Sequence, residues 1–241
     1  MTWLAGLAVA GVLALSACGG TTTPAETDNP AATQTQAELP SSEEVITNAM
    51  EEMRTAQSVR IHLVGPMEGK QSTVDIAGNR EGTNQRTELK LDNDGGHAEI
   101  ITVDGKDYIK ADRAFWTSQD PAAGAQTDLL EGKYIGTGEA SFSRDMNVGT
   151  LLDEAAAGDL SLQDKLNTKV EEDTVDGTPA YKLSSRVGGD GTVVWTTADD
   201  KNQILKVTDT DENGEHRELT FSDWNAVETF ETPPADQILQ L

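Results

Sequence analysis

The stretch SSEEVITNAMEEMRTAQSVRIHLVG, residues 41–65, changes its hydrophobic period part-way along and thereby decides the class of fold. Its first part carries apolar residues at i, i+3, i+4 and i+7, the spacing of one face of an α-helix. These residues are Ile46, Ala49, Met50 and Met53. Ser41 and Glu44 have the spacing of a capping box. We therefore expect a helix that Ser41 caps and that ends near Gln57.

The second part of the stretch alternates apolar and polar residues, and the same alternation recurs further along the chain. In residues 58–65, Val59, Ile61 and Leu63 alternate with Arg and His. Two more segments, 72–78 and 87–92, carry Val74, Ile76, Leu89 and Leu91 in the same way. A period of two indicates strands with one buried and one wet face, and hence an antiparallel sheet.

A hairpin and then an interruption follow. The segment AEIITVDGKDYIKAD, residues 98–112, places Asp104-Gly105 at a hairpin tip, and we expect its second strand to run on to Trp116. Residues 117–165 are rich in Gly, Ala and Asp and predict a loop. Within it, NVGTLLDEAAAG, residues 147–158, predicts a helix that a glycine ends. A third short helix is expected at residues 160–166.

Strand signals then resume and continue almost to the end of the chain. A hairpin over residues 168–185 turns at Asp176-Gly177, and TVVWTT, QILKVTDT and HRELTFSDW follow as further strands. The tail AVETFETPP, residues 226–234, is expected to be a last edge strand. In all, the patterns predict about ten or eleven strands and two or three helices, which is an α+β fold.

The beginning of the chain has the features of an export signal. Residues 3–17 are uncharged and mostly Leu, Ala, Val and Gly, long enough for the apolar part of a signal peptide and too short to span a bilayer. Leu15-Ser16-Ala17-Cys18 resembles a bacterial lipobox, whose cysteine is acylated and becomes the first residue after cleavage. We expect residues 1–17 to be a signal peptide and Cys18 to be a lipid anchor. Because Met-Thr-Trp lacks the usual positive charge, we expect the true start to lie upstream of Met1.

The residues after the cysteine differ in composition from the rest. Residues 18–40 hold Thr, Ala, Pro, Gln and Glu with almost nothing large and apolar, so they cannot bury a core and should form a disordered tether. We expect residues 41–241 to form a single domain. Cys18 is the only cysteine, so no disulfide can support this domain.

The charge of the chain limits its partners. It contains 42 Asp and Glu against 18 Lys and Arg, a formal net charge of −24. Nucleic acid is not an expected partner, because phosphate binding needs clustered Lys and Arg. The same charge disfavours direct contact with anionic lipid. We therefore expect the acyl chains on Cys18 to hold a monomer at the extracytoplasmic face of the cell membrane.

The order of the elements resembles that of the LppX/LprG group of actinobacterial lipoproteins, and more distantly that of LolA-like carriers and the amino-terminal domain of RseB. The local features that match are TAQSVRIHL, VDGKDYIKADRAFW, VDGTPAYKL and LTFSDWNAVETFETPP. The resemblance covers roughly residues 42–240. It implies a strongly curved antiparallel half-barrel whose concave face is covered by helices, with an apolar cavity between them that takes acyl chains in the better-understood members.

If this chain has such a cavity, the apolar alternates of its strands should line it. Those residues are Val59, Ile61, Leu63, Val74, Ile76, Leu89, Leu91, Ile100, Leu183 and Trp195. The helices that cover it would contribute Met50, Met53, Leu151 and Leu152. The alternative, that these side chains simply pack together and leave no cavity, stays open at this point.

Motifs that carry catalysis are not found in the sequence. The three histidines, His62, His97 and His216, are far apart, and neither a GxSxG elbow nor an HExxH motif occurs. Residues 209–215 begin like a calcium loop, but Thr220 occupies the position of the bidentate Glu and strands flank it. We therefore expect a hairpin turn there, and neither a metal nor a cofactor.

Two hypotheses remain from the sequence. The first is a lipid-anchored carrier or sensor that holds a lipid or another long apolar ligand in the half-barrel. The second is a non-enzymatic interaction or signalling lipoprotein of the RseB kind, with a packed interior and an acidic surface that contacts an unidentified protein partner. An enzyme is not expected.

Overall fold

The computed structural model describes residues 38–67, 70–92, 95–119, 127–137, 142–156, 168–184, 191–210 and 214–239. The expected signal peptide, Cys18, most of the tether and the helix at residues 160–166 lie outside these ranges. Residues 38–241 form one compact unit. Both of its hydrophobic clusters are built from residues of this unit alone, so it has the complete core that a domain needs in order to fold by itself.

Helix α1, Ser42–Thr55, begins as expected from its cap. The hydroxyl of Ser41 accepts a hydrogen bond from the backbone N–H of Glu44 at 3.1 Å, which satisfies one of the free donors of the first turn. Val45, Ile46, Ala49 and Met53 are fully buried. The helical period predicted from residues 41–57 is therefore confirmed, and its apolar face is core.

Eleven strands of the described residues form one open antiparallel sheet, which confirms the fold class. Their bounds are β1 Ser58–Met67, β2 Lys70–Asn79, β3 Asn84–Leu91, β4 Gly96–Val103, β5 Lys106–Ala111, β6 Ile135–Gly136, β7 Val170–Val175, β8 Thr178–Ser184, β9 Val193–Thr197, β10 Ile204–Thr210 and β11 His216–Ser222. Their order across the sheet is β6-β5-β4-β3-β2-β1-β11-β10-β9-β8-β7. Two meanders are thus joined at the β1–β11 pair, and β6 and β7 are the edges.

The register aligns one apolar residue from each of ten strands into a single row on the face that the helices cover, here called the inner face. From β7 to β5 the row consists of Val170, Leu183, Val194, Val207, Leu219, Leu63, Val74, Leu89, Ala98 and Ala111. Because the side-chain period of a strand is two, this register places every second residue of each strand inside.

The inner face carries two hydrophobic clusters. The larger one joins the strands from β7 through β11 and β1 to β2 with α1 and with helix α5, Val148–Glu154. The smaller one consists of Ala98, Ile100 and Ala111 and is covered by Phe115, Trp116 and Phe142. The predicted helix over residues 147–158 is thus confirmed as far as residue 156. Asn147 caps it by accepting from the N–H of Thr150 at 2.9 Å.

The hairpin at Asp104-Gly105 is confirmed, but the expected extension of its second strand to Trp116 is wrong. Strand β5 ends at Ala111, and helix α2, Arg113–Gln119, follows. The reason is Asp112, whose carboxylate accepts from the N–H of Phe115 at 2.8 Å and from the N–H of His97 at 2.9 Å. An Asp at this position caps a helix and closes the strand pair at the same time.

The expected edge strand at residues 226–234 is also wrong. Strand β11 is already paired on both sides, with β1 and β10, so the chain that follows it meets no free sheet edge. Its backbone bonds to side chains instead: Asn84 accepts from the N–H of Phe230 and donates to its carbonyl, both at 2.8 Å. After a 3-10 turn at Ala235–Gln237, Ile238 bridges to Tyr134, next to edge strand β6.

The segment expected to be loop before α5 contains two further short helices, α3 Thr127–Leu130 and α4 Phe142–Asp145, as well as β6. A buried carboxylate holds α4. Asp107 of β5, which is fully buried, accepts from the hydroxyls of Thr102 and Ser143 at 2.8 and 2.9 Å and from the N–H of Phe142 at 2.8 Å. A strand residue therefore caps this helix, and because it is distant in sequence, no local pattern indicates the cap.

Candidate functional site

An apolar cavity of about 360 Å³ lies between the middle of the inner face and helix α5. Its floor comes from the three central strands β1, β2 and β11, and its cover comes from α5 together with Met146 before it and Ala155 after it. The volume falls within the roughly 300–1,000 Å³ that is usual for small-molecule sites, and such sites are mostly apolar with a few polar groups.

Five of the residues predicted to line a cavity do so. They are Ile61, Leu63, Val74, Ile76 and Leu151. The first four form two cross-strand pairs, Ile61 with Ile76 and Leu63 with Val74. The alternation of β1 and β2 was sufficient to predict them.

Other predicted residues lie on the same side of the sheet but pack without lining the cavity. Val59, Leu183, Met53 and Leu152 are fully buried in the larger cluster. Met50 and Leu89 are half-buried against that cluster, Ile100 belongs to the smaller cluster, and Leu91 is half-buried. Seven of these residues therefore pack in a hydrophobic cluster, whereas Leu91 belongs to neither cluster.

Trp195 contradicts the expectation, because it lies on the outer face of the sheet. Its strand neighbour Val194 is buried in the core, so Trp195 must point the other way. Its indole N–H donates to Asp173 at 2.8 Å, and the Nζ atoms of Lys182 and Lys206 lie 5.6 and 5.8 Å from its ring. The large aromatic side chain is stabilised by polar and cation–π contacts rather than by burial.

The sequence reasoning missed seven lining residues, namely Pro66, Met146, Glu154, Ala155, Arg217, Leu219 and Phe221. Three of them could have been found. In HRELTFS, Arg217, Leu219 and Phe221 alternate with Glu218 and Thr220, the same signal that identified β1. Met146, by contrast, lies in a segment without any period.

Two charged residues of opposite sign, Arg217 and Glu154, stand at the rim of the cavity, since both line it and both are exposed. Among the described residues, neither takes part in an ion pair within 4.0 Å. All other lining residues are apolar. The site therefore combines an apolar interior with one unpaired cation and one unpaired anion at its rim.

The position of α5 over the cavity is fixed by contacts on its far side. Gly149 lies so close to the turn after strand β2 that a Cβ there would be 2.2 Å from the carbonyl oxygen of Arg80. The guanidinium of Arg80 donates to the carbonyl of Met53 in α1 at 2.8 Å and pairs with Asp153 of α5. The amide of Gln85 donates to the carbonyl of Met146 at 2.9 Å and accepts from the N–H of Val148 at 3.2 Å.

The outer face is charged, and its strongest cluster surrounds Glu99. Its carboxylate accepts hydrogen bonds from Arg86, Lys110 and Tyr134 at 2.7–2.8 Å. Burial would by itself raise the pKa of Glu99, but the hydrogen bonds from Lys110, Tyr134 and Arg86 outweigh it and lower that pKa to about 2. Burial and the neighbouring Glu99 raise the pKa of the Tyr134 hydroxyl. This cluster ties β3, β4 and β5 to the segment before β6.

Within the described ranges, no group of three or more His, Cys, Asp or Glu side chains is placed to hold a metal ion. The residues flanking the possible calcium loop are strands β10 and β11, as expected, while residues 211–213 fall outside the described ranges. His62 lies on the outer face, with its Nδ1 3.4 Å from Asp75. None of the helices that the structure describes has the length and apolar character needed to cross a membrane.

Comparison with solved structures identifies the fold. LprF from Mycobacterium bovis is similar with a TM-score of 0.54 at 16% sequence identity, over 81% of this chain and 99% of that one. The chain has the LolA-like half-barrel fold of the LppX/LprG group. No protein-family profile matches the sequence, and neither does any curated protein.

Two further solved structures are more distant. The lipoprotein LppX from Mycobacterium tuberculosis has a TM-score of 0.46 at 14% identity, over 78% of this chain and 98% of that one. MucB has a TM-score of 0.35 at 18% identity, over 83% of this chain and 62% of that one. With scores below 0.5, neither structure adds to the assignment of the fold. The half-barrel fold expected from the sequence resemblance is confirmed by the similarity to LprF.

Proposed function

We propose that this chain is a non-enzymatic lipoprotein, anchored through acyl chains on Cys18 at the extracytoplasmic face of the cell membrane, that binds a lipid or another long apolar ligand in its half-barrel. Residues 1–17 would be removed as a signal peptide, and residues 18–40 would be the tether between anchor and domain. The observation that carries the proposal is the apolar cavity between β1, β2, β11 and α5.

Binding would rest on burial of apolar surface. Each methylene group taken from water into the cavity contributes about 0.8 kcal/mol, so eight methylenes contribute roughly 6 kcal/mol before the cost of association is subtracted. A ligand that fills the apolar space also adds dispersion contacts to the residues that line it. Occupation should therefore stabilise the domain as well as hold the ligand.

The direct test is native mass spectrometry of residues 38–241 exported by the bacterium that makes the protein. We expect bound masses that disappear after extraction with organic solvent and that match lipids of that bacterium. The delipidated domain should take up added lipid again and gain thermal stability as it does so.

A pair of variants links the binding to the cavity. Leu151→Trp places a larger side chain in the lining and should abolish lipid uptake, whereas Val64→Trp changes an exposed residue on the outer face of β1 and should leave uptake unchanged. A bare mass for the wild-type domain, with no uptake of added lipid, would contradict the proposal. It would favour instead an interaction protein that acts through its acidic surface.

A further inference from the structure

We propose that Arg217 selects ligands that carry a negative charge at the end of an acyl chain, so that the cavity takes long-chain carboxylates or phosphates in preference to neutral lipids. The inference rests on the proposed function, since it specifies which apolar ligand the cavity holds.

Arg217 is the arginine that lines the cavity. Four other arginines, Arg60, Arg80, Arg86 and Arg113, each form an ion pair with a carboxylate, whereas Arg54 and Arg144 form none among the described residues. Arg217 forms none among the described residues, although the chain contains 42 acidic residues. Its cross-strand neighbour Asp209 instead accepts a hydrogen bond from the Thr192 hydroxyl at 2.8 Å.

The strand next to Arg217 makes room for its side chain. A Cβ at Gly65 of β1 would lie 3.0 Å from the Cγ of Arg217. Glycine within a strand weakens the strand, and it commonly marks a place where something approaches the backbone closely. Here the Cβ and Cγ of Arg217 lie against Gly65 of β1, which is close in the strand to the lining residues Leu63 and Pro66.

Charge complementarity then indicates the head group. The chain has a net charge of −24, which repels anions in general. An anionic ligand therefore needs a local cation, and the guanidinium is suited to pair with a carboxylate or phosphate through two hydrogen bonds. Because Arg217 is exposed at the rim, the head group would stay in contact with water while the acyl chain enters the apolar interior. Glu154, the second charged rim residue, opposes an anion and should lower the affinity.

The test is displacement of the neutral fluorescent probe N-phenyl-1-naphthylamine from residues 38–241 at pH 8 by palmitate, hexadecyl phosphate or methyl palmitate. These competitors share a chain length and differ in the end group, so the two anions distinguish a carboxylate from a phosphate ligand. We expect at least one anion to bind about tenfold more tightly than the methyl ester. This is the ratio expected when one additional hydrogen bond to a charged group is formed. Inorganic phosphate alone should displace nothing.

Four variants test whether the ligand preference depends on the charges at the rim rather than on an intact fold alone. Arg217→Gln should weaken anion binding about tenfold more than methyl palmitate binding and thereby remove the preference, while Arg217→Lys should keep part of the preference. Glu154→Gln should strengthen anion binding. Arg54→Gln, which changes an arginine in the last turn of α1 that does not line the cavity, should have no effect.

The outcomes distinguish the two proposals. Equal binding of anions and ester by the wild-type domain, or an equal loss of both in Arg217→Gln, would overturn the role of Arg217 and leave the apolar site intact. Failure of all three long-chain compounds to displace the probe would remove the proposed function, and this inference with it.

Discussion

Replacement of Glu99 by Gln tests whether the outer-face cluster holds the first meander together. Gln has nearly the same shape and can still form hydrogen bonds, so the substitution removes chiefly the negative charge between Arg86, Lys110 and Tyr134. The side chain of Glu99 is only 9% exposed, whereas those of Arg86 and Lys110 are 44% and 34% exposed, so solvent screens part of these contacts.

The magnitude follows from the pKa of the carboxyl group. Hydrogen bonds to Lys110, Tyr134 and Arg86 lower it from 4.5 to about 2 against the opposing effect of burial. One pKa unit corresponds to about 1.4 kcal/mol, so the ionised form contributes about 3 kcal/mol to the free energy of unfolding at pH 7. Because the folded pKa is the lower one, this contribution is complete above pH 4.5 and is lost as the pH falls towards 2. At pH 3 about 1 kcal/mol should remain.

The assay is urea unfolding of the wild-type domain and Glu99→Gln at pH 7 and at pH 3. The difference between the two proteins should be about 3 kcal/mol at pH 7 and about 1 kcal/mol at pH 3, and comparing proteins at the same pH cancels the titration of the other carboxylates. Glu88→Gln is the matched control, because Glu88 also contacts Arg86 but is 44% exposed, and it should change stability by less than about 1 kcal/mol at either pH. A difference for Glu99→Gln that is independent of pH would refute the reasoning.

Three further predictions concern other parts of the chain. Gly149→Ala should destabilise the domain by about 2 kcal/mol in thermal unfolding, because the new Cβ would lie 2.2 Å from the carbonyl oxygen of Arg80, so that α5 must move away from the turn after β2. An unchanged Tm would contradict this packing. Asp107→Ala should lower the free energy of unfolding in urea by about 3 kcal/mol, because it leaves the buried hydroxyls of Thr102 and Ser143 without their acceptor. A decrease of less than about 1 kcal/mol would show that other acceptors replace the carboxylate. Cys18→Ala should release the protein from the membrane fraction after cell lysis, whereas retention equal to that of the wild type would rule out the anchor.

Most of the sheet could be predicted from the sequence because its signals are local. Alternation in β1 to β3 and in β11 appears directly in neighbouring residues, and the Asp-Gly pairs at residues 104–105 and 176–177 fix the hairpin registers. Both Asp104 and Asp176 adopt positive φ, at 50° and 49°, which the residue type tolerates and such turns require.

The incorrect predictions have a common cause. Each residue was assigned from its own type, without the neighbouring residue or hydrogen-bond partner that determines its position. The apolar residues of AFW after Asp112 look like a continued strand until the cap that Asp112 provides is taken into account. Trp195 was assigned to the inside as an apolar residue of its strand, although its position next to the buried Val194 places it outside. Asp107 could not be interpreted at all, because its partner Ser143 is 36 residues away.

The cavity lies where a short helix covers the apolar inner face of the sheet. At one end, α1 has 14 residues and is fastened to the β9–β10 turn, where Asn48 donates to Asn202 at 3.0 Å and Gln203 donates to Glu52 at 2.9 Å. At the other end, α2 and α4 cover small residues, Ala98 and Ala111. The central strands β11, β1 and β2 carry large apolar residues but are covered mainly by α5, which has only seven residues. A sequence pattern reports which residues face inwards, whereas the space above them depends on how far the covering helix reaches. That is why five lining residues could be predicted, while the existence of the cavity could not.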